Sequence, residues 1–166
     1  MALSLLAKLG IGAAVGGAAL LVTRKTGDSP RIRVIKAAIG EIGSSDAAKY
    51  WASSLPGVNM TGQSWCGAFA LWSLHQAGLA TDWFWEPGLG FLMATHHSLP
   101  RTTNPQPGDI AYFDKYQHEA VIYNVTPTTV QLINGNSTGG KVAPSEVPKS
   151  SVTAFFSIEP LISAAA

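Results

Sequence analysis

The chain has 166 residues, of which 46% are hydrophobic and 13% charged, a size and composition that suit one domain with its own core and exclude a disordered chain. Its net charge of +1 is unevenly spread: Lys8, Arg24, Lys25, Arg31 and Arg33 against Asp28 give residues 1–33 a charge of +4, and the rest carries −3. That slightly acidic body lacks the basic face nucleic acid requires, so no nucleic-acid partner is expected.

Leu3 to Val22 is almost wholly apolar, interrupted by Ser4 and Lys8. The unbroken part, Leu9 to Val22, is shorter than the roughly 20 residues that span a bilayer, but the whole segment reaches that length if Lys8 extends its amine to the headgroups. Gly12 and Gly16 have the small-residue spacing of close helix contacts in membranes. Residues 1–23 are therefore expected to form an apolar, membrane-associated helix with a basic flank. A cleaved signal peptide and a helix buried on a partner protein are the rival readings. The first rival lacks a small-x-small cleavage site, since Val22-Thr-Arg-Lys follows.

Residues 24–29 read as a linker. Ser29 then offers an N-cap and Pro30 suits the first helical position, opening a domain expected over 30–160 with a tail at 161–166. Ile32, Ile35, Ile39 and Ile42 fall at helical spacing, and Gly43 ends that element. Residues 46–53 predict a further helical turn before Pro56-Gly57. Ser64 is placed to cap a mostly apolar helix over about Trp65 to Ala77, which Gly78 would terminate. Residues 83–100 are aromatic and without a clear period. After a turn at Pro107-Gly108 come three strands, Ile110 to Phe113, Ala120 to Val125 and Thr129 to Ile133, with a fourth candidate at 152–158. Helices followed by an antiparallel meander indicate an α+β domain.

Cys66 is the only cysteine, so the chain has neither an internal disulfide nor a multi-cysteine metal cage. An isolated cysteine is ordinarily a small buried hydrophobe. This one opens a helix, where unpaired N–H groups and the helix dipole favour a thiolate and can stabilise an oxyanion. A nucleophile there needs a base. His75 lies nine residues along the same helix and is excluded by distance; His96 and His97 sit in the irregular aromatic segment. His118, at the entry to the second strand, is the best base, aligned by alternation with Ala120 and Ile122. Asn134 and Asn136 share parity with Val130 and Leu132 on the third strand, so either is a candidate to orient the imidazole. No metal or organic cofactor is expected, because no His-Glu-x-x-His, phosphate loop or dinucleotide fingerprint occurs.

The runs Trp65-Cys66-Gly-Ala-Phe-Ala-Leu-Trp72, Pro107-Gly-Asp-Ile-Ala-Tyr-Phe113, His118-Glu-Ala-Val-Ile and Ile133-Asn-Gly-Asn136 together resemble the CHAP-domain amidases and peptidases, within the wider NlpC/P60-like, papain-like group. The resemblance covers roughly residues 31–158. It implies a papain-like α+β fold and cleavage of an amide bond in bacterial peptidoglycan. It also implies Cys66 as nucleophile, His118 as base and Asn134 as orienting residue, with Asn136 matching a frequent asparagine. Asn134 departs from the Glu of many members and brings no negative charge to an imidazolium. By the same analogy Gln63 is a candidate oxyanion donor. Trp65, Trp83, Trp85 and His97, with Phe84, Phe91 and His96, are candidates to floor a substrate groove.

Two other readings are a membrane-inserted structural protein that binds wall through a decayed hydrolase fold, and a papain-like acyltransferase or deamidase. The positive-inside tendency puts the domain on the cytoplasmic side, away from peptidoglycan. A phage product, carried in the virion or released at lysis, reconciles the two, so residues 1–23 are expected to meet a membrane or a virion component.

Overall fold

The computed structural model describes residues 27–57, 59–85 and 99–166; the expected apolar helix at 1–23 lies outside them. Helix α1, Pro30–Gly40, starts as its residues dictate, with the Ser29 hydroxyl accepting from the Ile32 N–H at 3.4 Å and proline in the first turn. Its isoleucine stripe does not point inward: Ile32 and Ile39 are 43% and 42% exposed, as is Ile42 beyond the helix at 47%. Val34 and Ala38 are buried instead. Polar tethers select that face, because Arg31 reaches the Asp109 carboxylate and Arg33 donates to the Ala77 carbonyl at 2.9 Å.

Helix α2, Ala47–Ser54, is capped by Asp46, whose carboxylate accepts from the Lys49 N–H at 3.2 Å. Helix α3, Cys66–Gln76, is buried from Cys66 through Leu74, as its apolar composition requires. Gly78, at φ 77°, supplies the left-handed residue just beyond its end. Between these helices Tyr50 stacks on Trp65 at 5.0 Å and meets Phe69 edge-on at 5.2 Å, forming an aromatic centre to the core.

The strands are β1 Arg101–Thr102, β2 Ile110–Phe113, β3 His118–Val125, β4 Thr129–Asn134, β5 Ala143–Pro148 and β6 Ala154–Phe156, and a last helix, α4, covers Glu159–Ala164. The three strands and the fourth candidate read from the sequence are present, with β3 beginning two residues earlier than expected. All described strands pair antiparallel in the order β1-β6-β2-β3-β4-β5, which makes the domain α+β. Two strands escape sequence reading: β1 is only two residues long, and β5 contains Pro144 and Pro148, which an edge strand tolerates. The tail expected at 161–166 is corrected, because Leu161 on α4 packs into the core.

Both faces of the sheet are buried. Ile110, Tyr112, Val121 and Ile133 join the core beneath the helices, while Ala111, Ala120, Ile122, Val130 and Leu132 form a second apolar cluster. The second cluster arises from curling. β5 and β6 are separated by three strands, roughly 19 Å across a flat sheet. Only residues 149–153 join them, and three of these form a 3-10 turn. So short a link requires the sheet to bend, and Val147, Val152 and Phe155 pack into the resulting hollow.

Candidate active site at the start of helix α3

Cys66 is the first residue of α3, but Ser64 is not its cap. Trp65 occupies the cap position without a side-chain cap bond. Ser64 is drawn elsewhere: its hydroxyl accepts from Asn136 Nδ2 at 3.1 Å and lies 3.7 Å from Cys66 Sγ, while its carbonyl accepts from the Trp85 indole at 3.3 Å. Two glycines let the surroundings close on this helix start. A Cβ at Gly67 would sit 2.1 Å from the Trp85 ring, and one at Gly135 would sit 2.4 Å from Phe69 Cβ.

Cys66 is 1% exposed, and its sulfur lies 3.8 Å from the carbonyl oxygen of Gln117, the residue before His118. The start of α3 and the start of β3 thus meet at one corner. Gln117 adopts φ 47°, a left-handed residue that ends the 3-10 turn Asp114–Tyr116 and directs the chain into the strand.

His118 Nε2 lies 3.0 Å from Asn134 Oδ1. The asparagine's orientation is determined by its other contacts: Nδ2 donates to the Ala143 carbonyl at 3.1 Å and the Ser145 hydroxyl at 2.9 Å. A carbonyl oxygen can only accept, so the amide nitrogen must face it and Oδ1 must face the imidazole. His118 therefore carries its neutral-state proton on Nε2, and Nδ1 holds the lone pair. Of the two asparagines, Asn134 contacts the histidine. Asn136, at φ 50°, builds the turn and tethers Ser64.

Burial pushes the Cys66 thiol above its ordinary value, outweighing the Glu119 N–H, the Ser64 hydroxyl and the first-turn N–H groups that favour the anion. Desolvation thus opposes the thiolate expected from helix-start placement. Burial also lowers His118, against the opposing effects of Asn134 and Glu119. Both shifts favour the uncharged forms, a thiol at Cys66 and a neutral imidazole at His118.

The other residues singled out in the sequence scatter. His75 is held between the Ser53 hydroxyl at 2.8 Å and the Thr81 hydroxyl at 2.9 Å, away from the sulfur. Gln63 is exposed beside the site. Trp65 and Trp85 cannot floor a groove, since they are 5% and 1% exposed, one stacked on Tyr50 and the other pressed on Gly67. Trp83 is half-buried and Phe84 exposed; Phe91, His96 and His97 lie outside the described residues. Sequence reasoning missed Ser64's tethering role and also Glu119, a fully buried acid next to His118. Alternation alone would have turned Glu119 toward the helices, opposite to Ala120, had both faces been taken as buried.

Among the described residues, no cluster of His, Cys, Asp or Glu could hold a metal ion, and no helix is long and apolar enough to cross a membrane. No curated protein and no solved structure matches the chain. The model of the CHAP domain family does match, over residues 58–136, and CHAP domains are generally hydrolases acting as amidases or peptidases. A CHAP domain is thus detected at residues 58–136, and the matched stretch contains the cysteine, the histidine and both asparagines.

Proposed function

We propose that the chain is a peptidoglycan hydrolase that cleaves an amide bond of the bacterial wall with Cys66 as nucleophile. The observation that supports this reading is the locked orientation of Asn134, which leaves the lone pair of His118 on Nδ1, in the residue that follows Gln117, whose carbonyl lies 3.8 Å from the Cys66 sulfur. As Sγ attacks the substrate carbonyl, the thiol proton passes to Nδ1 and a C–S bond forms. His118 then returns that proton to the leaving amine as the C–N bond breaks. Water, deprotonated by the same nitrogen, hydrolyses the thioester and restores the thiol. Asn134 holds the Nε2 proton throughout. The N–H groups of the first turn of α3 are the nearest donors for the oxyanion, with Gln63 a side-chain alternative.

On this reading, residues 1–23 attach the enzyme to a membrane or virion, and a phage origin accounts for its access to the wall. Purified particles containing the chain would support that placement, and recovery solely from host inner membrane would count against it. The catalytic claim is tested by clearing of purified peptidoglycan, with mass spectrometry of the fragments to identify the bond. Cys66→Ala is expected to lose activity at least about 10³-fold, and undiminished clearing sinks the mechanism.

One observation favours a second reading, a wall-binding protein without catalysis: the sulfur is desolvated and its thiol raised. Wall binding by a chain whose thiol fails to react with iodoacetamide from pH 7 to 9 would select it.

A further inference from the structure

We propose that Glu119 is a positioning residue acting through Cys66: its buried, unpartnered carboxyl determines by its charge whether the sulfur can become an anion. The inference rests on the reading of Cys66 as the nucleophile.

Glu119 is the second residue of β3, between His118 and Ala120. Alternation places it with Val121 on the face beneath the helices, opposite to Ala120 and Ile122, and its register partner is Tyr112 of β2. It is 1% exposed, and neither carboxyl oxygen has a hydrogen-bond partner among the described residues. Its backbone N–H favours the Cys66 anion, and the Cys66 sulfur lies 3.8 Å from the carbonyl of Gln117, two residues earlier. A group that faces the nucleophile with its main chain and has an unsatisfied acid as its side chain is not explained by packing. A buried polar atom without a partner is costly, and an apolar residue would fill the same space at no such cost.

The titratable groups around it decide how that acid behaves. Cys66 faces it from α3, Tyr112 from β2 and His118 from its own strand, with Asp114 one step further, accepting from the Tyr112 hydroxyl at 3.4 Å. Tyr112 is pushed up to about 12, first by burial and then by Asp114, and stays a neutral phenol. Glu119 is pushed up to about 8, chiefly by burial and further by its charge coupling to Cys66, while His118 opposes the shift. The carboxyl is therefore neutral while the enzyme works near neutral pH. Two anions side by side out of water disfavour one another, so once Glu119 ionises the thiol becomes harder to deprotonate. The protons leave the pair in two coupled steps.

The test is the rate of iodoacetamide alkylation of Cys66 against pH, from 5 to 11, in the full chain. The parent is expected to show two steps. Glu119→Gln, of the same shape but without charge, is expected to show one, with its midpoint about one pH unit lower, which is about tenfold in rate on the rising limb. Glu119→Leu should match it, which covers the case of a glutamine variant that does not fold, and Glu119→Asp should restore the second step. Profiles for the Gln and Leu variants that superimpose on the parent overturn the proposal. Because alkylation needs no wall substrate, a chain that shows these profiles yet clears no peptidoglycan would remove the hydrolase reading and leave the coupling intact.

Discussion

Asp109 and Glu119 are equally inaccessible at 1% exposure, yet the fold treats them in opposite ways. Asp109 accepts from Arg31 at 2.6 Å, from the Gln106 N–H at 2.8 Å and from the Ile158 N–H at 3.1 Å. It ties α1, the turn before β2 and the chain after β6 into one corner. Glu119 has no such donor among the described residues and sits beside the thiol. A buried acid with its donors supplied is a fastener; one without them is stable only while neutral, and its proton becomes sensitive to whatever charge develops next to it.

The largest effect is expected at Asp109. Asp109→Ala leaves the guanidinium of Arg31 poorly paired and two N–H groups unsatisfied, and is expected to cost about 4 kcal/mol, read from urea denaturation at pH 7.

Glu119 should respond in the opposite direction. Its folded-state pKa, about 8, lies above the ordinary 4.5, so its contribution to stability is complete below pH 4.5 and is lost as pH rises toward 8. Glu119→Leu is expected to stabilise the domain at pH 8 by on the order of 3 kcal/mol and to flatten the decline between pH 5 and 8. A variant that is less stable than the parent at pH 8 would mean that Glu119 is satisfied after all.

Asn134 sharpens the contrast from between the two extremes, being 6% exposed with partners on both ends of its amide. Asn134→Ala is expected to lower the rate of wall clearing about 10²-fold by freeing the imidazole, with a smaller change in substrate affinity. Asn136→Ala, which releases Ser64 and strains the turn without touching His118, should change it by no more than about threefold.

Local signals made much of the frame legible. Ser29-Pro30 begins α1, Gly78 follows the end of α3, and the β2, β3 and β4 patterns stand where their alternation puts them. Ser64 shows where local rules stop. A serine before an apolar helix is a good cap in isolation, but Asn136, 72 residues away, bonds its hydroxyl. The isoleucines of α1 mislead for a similar reason, since Arg31 and Arg33 choose the buried face through partners that are distant in sequence. Trp65 and Trp85 read as groove aromatics only until Tyr50 and Gly67 are seen to cover them.

By itself the sequence determined the order of α1, α2, α3, β2, β3, β4 and β6, the single cysteine at a helix start, and a histidine at a strand entry, because these depend on spacing within one element. The tertiary structure decided the rest. It selected Asn134 over Asn136 by fixing an amide between two strands, and it raised the thiol by burying it. It also buried the Glu119 carboxyl under the helices with no hydrogen-bond partner among the described residues. Hydrogen-bond partners and desolvation are properties of neighbours in space, and no pattern along the chain encodes them one element at a time.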